Sequence, residues 1–187
     1  MSVIFGLLIL LGVLFTAIII LGYFLPDKWQ VEKAVIVNAS DEDIFPLINS
    51  LKNWMEWSAW NSENNIDFEF EGPVSGTNAT QLWKGSQING KLKITKSVPF
   101  HTIEFNLELE KEKFLVNGII VLEATMPSYT QVAWRSELNM AKNNNPVFRW
   151  QAFFLKNYFD NKMSRSLQNL QALFENSDSP VDSVMED

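Results

Sequence analysis

The residues able to do acid–base or nucleophilic work in this sequence are few and scattered. Cysteine is absent, and the single histidine, His101, follows Pro99-Phe100 in a turn between two strand-like segments. Without cysteine there is no disulfide, no thiolate zinc site and no thiol nucleophile, and a lone histidine in a hairpin is a polar turn residue before it is a general base. Gly72-Pro73-Val74-Ser75-Gly76 imitates a nucleophile elbow, but its serine stands one position late. The stretch from Gly85 to Leu92 approaches a phosphate-cradling loop. There Leu92 occupies the place of the Ser or Thr that would hold magnesium, and Leu92-Lys93-Ile94 continues as a strand where a helix N-terminus is required. Glu69, Glu71, Glu104 and Glu108 alternate with apolar residues and form the solvated side of a sheet. Glu123 is the one carboxylate inside a strongly apolar stretch; with Arg135 and Tyr158 it is what an enzyme of this sequence would have to use. No catalytic, metal or cofactor site is assigned.

What remains abundant is aromatic: seven Trp and fourteen Phe in 187 residues, a length that accommodates one domain. The formal net charge is -7, and no cluster of Lys and Arg stands out, which excludes the electrostatic footprint of a nucleic-acid binder. Asn38-Ala39-Ser40 and Asn78-Ala79-Thr80 fit the N-glycosylation pattern, a pattern that arises readily by chance and carries no weight here.

From Val3 to Leu25 the chain has no charged residue, enough at 1.5 Å rise per residue to cross a hydrocarbon core of about 30 Å. The segment lacks a basic leader and an Ala-x-Ala-like cleavage site, which favours an uncleaved anchor over a signal peptide. Tyr23, Pro26, Asp27, Lys28 and Trp29 read as an interfacial belt with a helix stop. Lys28 and Lys33 follow the span and no basic side chain precedes it, so the positive-inside rule favours a cytoplasmic domain on a single-pass cell-membrane protein. Gly12 and Thr16 offer a small-xxx-small spacing of the kind chance supplies in such a segment.

The elements that must position the aromatic residues follow from periodicity. Val31–Val37 is a β-branched strand; Ser40 with Asp43 forms a capping box opening a helix, which Pro46 is expected to kink or split. Trp54, Trp57 and Trp60, three apart, suit one face of a short helix. Strands are predicted over Ile66–Glu71, Ala79–Lys84, Lys91–Val98, Thr102–Leu109, Phe114–Ala124 and Thr130–Leu138, joined by hairpin-length links into an antiparallel meander. After Asn143-Asn144-Asn145, Pro146 opens a long helix whose apolar stripe runs through Val147, Trp150, Phe154, Tyr158, Met163, Leu167, Leu170 and Phe174. The expected organisation is an anchor over 1–26, one domain over 27–175 and a disordered acidic tail over 176–187.

This order, with "VEKAVIVNASDEDIFPLINSLKNWMEWSAWN", "GKLKITKSVPFHTIEFNLEL" and "NPVFRWQAFF", resembles the helix-grip superfamily of START domains and polyketide cyclases, abbreviated SRPBCC, and in particular its bacterial members with an N-terminal membrane helix. The resemblance covers Val31 to about Phe174 and rests on pattern, with no catalytic motif. It implies an α+β fold in which a curved antiparallel sheet wraps around the C-terminal helix and encloses a small apolar ligand, lipid or polyketide-like. Placed on the apolar faces of their elements, the side chains expected to meet that ligand are Trp54, Trp57, Phe68, Leu82, Phe105, Leu107, Trp134, Phe154 and Tyr158. Two other functions stay open: a cyclase or hydrolase using the same cavity, and a ligand-free structural or partner-binding domain with a filled core.

Overall fold

The computed structural model describes residues 2–62, 67–84, 89–109, 114–126, 128–140 and 145–175. The elements are helix α1 (Ser2–Gly22), strand β1 (Lys28–Val37), helices α2 (Asp41–Asn49) and α3 (Trp54–Trp57), a 3-10 turn (Ala59–Ser62), strands β2 (Asp67–Glu71), β3 (Thr80–Lys84), β4 (Asn89–Val98), β5 (Thr102–Leu109), β6 (Phe114–Met126) and β7 (Tyr129–Asn139), and helix α4 (Pro146–Glu175). The seven strands form one antiparallel sheet in the order β1-β7-β6-β5-β4-β3-β2. Strands β2 to β7 are the expected meander, and β1 closes onto the last strand instead of pairing with the next one. The expected phosphate-loop decoy now falls partly outside the described residues and partly in β4, and the acidic tail lies outside them.

Local chemistry explains the boundaries. Ser40 caps α2: its Oγ accepts from the Asp43 backbone N–H at 3.2 Å and donates to the Asp43 carboxylate at 2.6 Å. Pro46 does not split this helix, which is a single element of nine residues. The residue is exposed, so the Glu42 carbonyl that loses its intrahelical donor faces water, and one forfeited hydrogen bond is tolerated. Trp54 and Trp57 lie in α3, but Ser58 is extended and Trp60 falls in the following 3-10 turn, so the three indoles are not on one helix. Asn145 caps α4 by accepting from the Val147 N–H at 2.9 Å, with Pro146 at the first helical position as expected. Register shifts between Ile94 and Lys96 and between Ala124 and Met126 bend the sheet. In the loop before β3, Gly72 has φ +77° and no room for a Cβ, which would lie 2.7 Å from the Asn78 carbonyl oxygen. That loop, and not catalysis, accounts for the elbow-like sequence.

Strand register divides the sheet into two faces. The inner one carries Trp29, Val31, Val35 and Val37 of β1, Val132, Trp134, Ser136 and Leu138 of β7, and Phe105 and Leu107 of β5. Helix α4 lies against β1 and β7 on this face, joined to β1 by an ion pair of 2.9 Å between Lys33 and Asp160. Its buried side is Ala152, Phe159, Lys162, Met163, Ser166, Leu167 and Leu170. The predicted stripe is therefore right at Tyr158 and from Met163 onward, and out of phase over Val147, Trp150 and Phe154. Val147 and Phe154 are exposed and Trp150 turns toward α1, while Phe148, Leu155 and Phe159 take the inward positions.

Candidate functional site

The inner face closes around an aromatic nucleus. Trp54 lies with ring centroids 5.1 Å from Trp57, 5.5 Å from Phe105 and 5.7 Å from Trp134. Trp60 reaches Trp134 at 5.5 Å and Phe159 of α4 at 5.6 Å, and Phe159 in turn meets Trp29 of β1 at 5.3 Å. Tilted and edge-on contacts of this kind each add about 0.5–1.5 kcal/mol to the burial of the rings themselves. The indole N–H groups of Trp54, Trp57 and Trp134 are satisfied: the first two donate to the Ile48 and Leu47 carbonyls at 2.8 and 3.2 Å, the third to Ser136 Oγ at 3.1 Å. Hydrogen bonds fix the 3-10 turn after α3 to α4. Ser166 Oγ accepts from the Ala59 N–H and donates to the Lys162 carbonyl, both at 2.8 Å, and Lys162 Nζ donates to the Ala59 carbonyl at 2.9 Å.

Of the nine residues expected to meet a ligand, Trp54, Trp57, Phe105, Leu107 and Trp134 are buried on the inner side. Tyr158 is half-buried beside Trp60 and Lys162, and Phe68 is half-buried on β2. Two of the nine are misplaced. Leu82 pairs with Glu69 and Lys91 and therefore points to the outer face; its neighbour Trp83, opposite Phe68 and Gly90, is the inward residue of β3. Phe154 is 62% exposed, on the side of α4 turned away from the sheet. The residues reserved for catalysis do not converge. Glu123 is exposed, Arg135 pairs with Glu32 on the outer face at 2.9 Å, and Tyr158 sits on α4. His101 holds its turn in place through Nδ1, 3.2 Å from the Leu122 carbonyl.

Trp29, expected from sequence in an interfacial belt, is instead an inner-face residue of β1. Its side chain is buried between β1 and α4, and its Nε1 has no hydrogen-bond partner among the described residues. A buried N–H left unpaired costs about 1–3 kcal/mol. The signal was present in the alternation of Trp29, Val31, Val35 and Val37, which extends the first strand back by one inward position. Among the described residues no group of His, Cys, Asp and Glu could hold a metal ion.

Similarity to solved structures has the same shape at low identity. A solution structure from Thermobifida fusca matches with TM-score 0.60 at 11% identity, covering 80% of this chain and 95% of that one. A hypothetical protein of Helicobacter pylori matches with TM-score 0.58 at 10% identity, covering 78% and 88%, and protein CV1439 of Chromobacterium violaceum with 0.53 at 12%, covering 80% and 99%. No curated protein matches the sequence. The model of the family described as polyketide cyclase / dehydrase and lipid transport matches residues 28–175, from the first residue of β1 to the last of α4. The curved antiparallel sheet gripping one long C-terminal helix is thus the helix-grip fold, and the chain belongs to the polyketide cyclase / dehydrase and lipid transport family.

Proposed function

We propose that the chain is a membrane-tethered binding module for a small apolar molecule that carries a hydrogen-bond acceptor oxygen, lipid or polyketide-like, held between the sheet and α4. The observation that carries this reading is the buried Nε1 of Trp29, without a partner among the described residues, set beside Phe159 in an interior whose other polar groups, Ser136, Lys162 and Ser166 among them, are hydrogen-bonded. The family match supports a ligand of this class. The absence of any convergence among Glu123, Arg135 and Tyr158 favours binding over turnover.

Anchoring is supported by α1. Val3–Gly22 has mean hydropathy 3.1 and none of its most apolar window is buried in the protein, as a helix facing lipid requires. In this proposal the domain stands at the cell membrane on the cytoplasmic side and samples its ligand from the bilayer. Lys28 supports that orientation, whereas Lys33 is engaged by Asp160.

The test is Trp29→Phe in the purified protein, heated with and without extracted membrane lipids. Phenylalanine keeps an aromatic ring and removes the orphan donor while giving up part of the indole's buried contact with Phe159, two effects of opposite sign, so the ligand-free variant should melt within roughly 5 °C of the parent. It should also lose most of the lipid-induced shift shown by the parent. A parent Tm that moves with no apolar compound would overturn the binding reading, and a variant that shifts as the parent does would remove Trp29 from the site.

A further inference from the structure

The first two turns of α4 present an apolar surface that the domain itself does not use. Val147, Phe153 and Phe154 are 53%, 42% and 62% exposed, and Tyr23 and Phe24, just beyond the end of α1, are 51% and 81% exposed. Trp150 links the two sets. Its ring stacks on Phe154 at 6.0 Å, and its Nε1 donates to the Ile18 carbonyl of α1 at 3.0 Å. The helices meet closely at this point: a Cβ on Gly22 would lie 2.8 Å from the Pro146 Cβ and 3.0 Å from the Trp150 Nε1. Arg149 secures the junction, donating from Nη1 to the Tyr23 and Leu25 carbonyls at 3.0 and 2.8 Å, a cation at the negative end of the α1 dipole.

Depth follows from these contacts. Ile18 lies four residues, or about 6 Å, inside the end of α1, within the 5–10 Å to which interfacial helices sink their apolar faces. Farther along α4 the exposed positions change character to Lys156, Asn157, Asn161, Arg165, Gln168 and Asn169. Apolar exposure on this helix is thus concentrated in the turns nearest α1, where Gln151 is the one exposed polar side chain between Val147 and Phe154.

We infer that the start of α4 is a second membrane contact: Val147, Trp150, Phe153 and Phe154, continuous with Tyr23 and Phe24, lie in the interfacial layer of the bilayer that α1 crosses and hold the domain against it in one orientation. This rests on the reading of α1 as a membrane span. The occupant is lipid because the patch continues the surface of an uncharged helix and carries the aromatic residues that prefer the headgroup boundary.

The parent chain has no cysteine, so single labels can be placed without background. Full-length F153C, F154C, Leu14→Cys and Gln168→Cys variants, each carrying a nitroxide, would be reconstituted in phosphatidylethanolamine and phosphatidylglycerol vesicles. Oxygen would be compared with a water-soluble nickel complex as relaxing agent. Labels at 153 and 154 should favour oxygen by roughly threefold or more over the label at 168, with the label at 14 favouring it most. If 153 and 154 match 168 while 14 is in lipid, the anchor stands and the second contact is overturned; if 14 is also in water, both fall. Spin–spin broadening at 154 that vanishes on dilution with unlabelled protein would assign the patch to a second copy, and this too overturns the inference.

Discussion

Gly118 and Phe105 face each other across β5 and β6, and the phenyl ring lies directly over the glycine. A Cβ at 118 would fall 2.0 Å from the ring's Cζ. Phe105 is also an edge-on partner of Trp54 and lies against Trp134, so it cannot swing aside without unpacking the nucleus. Gly118→Ala should therefore destabilise the domain by about 1–3 kcal/mol despite the better strand propensity of alanine, a loss that chemical denaturation would show as a lower midpoint at unchanged slope. A midpoint equal to that of the parent would mean that the ring has free space beside it. Trp29 makes the complementary point. Both residues owe their character to a neighbour on another strand or on α4, and no local spacing records that neighbour.

At the level of elements, period and type were legible and phase was not. The alternation of Ile103, Phe105, Leu107 and Leu109 with polar residues reads correctly as one buried face because every second residue agrees. In β3, Leu82 and Trp83 are adjacent apolar residues, and only pairing with β2 and β4 decides which one turns inward. Helix α4 misleads in its first two turns for a related reason: apolar residues there occur on two sides, one set toward the sheet and one toward α1 and beyond, and a stripe drawn through the most hydrophobic positions follows the wrong set. The interior of the nucleus was legible as composition, since five of the nine residues named from sequence are buried in it. Pro46 shows a tolerance that propensity alone does not anticipate. Because it sits on the exposed side of α2 and forfeits one bond, Pro46→Ala should restore the N–H to the Glu42 carbonyl and stabilise the domain by about 1 kcal/mol, a rise of roughly 2–4 °C by scanning calorimetry. An unchanged or lowered Tm would show that the loss of chain stiffness in the unfolded state outweighs the recovered bond.

For the molecule as a whole, cohesion comes from the apolar interior and hardly at all from charge. The described ion pairs, Lys33 with Asp160, Lys96 with Glu104 and Glu32 with Arg135, all have side chains at least 31% exposed. Pairs so hydrated contribute little, so raising sodium chloride from about 0.15 to 1 M should leave the Tm within roughly 2 °C of its starting value, and a steep fall would point to an electrostatic contribution that the geometry does not contain. The pairing of β1 with β7 has a further consequence for how the protein is made. The residues joined across that seam, such as Glu32 and Arg135, are 103 apart in the chain. At about 5–20 residues per second of translation, the first strand waits several seconds or more with no partner for its hydrogen-bonding edge. During biogenesis the sheet can seal only when its last strand leaves the ribosome, so a nascent chain stalled before that point should remain open to proteases and chaperones however well its early hairpins have formed.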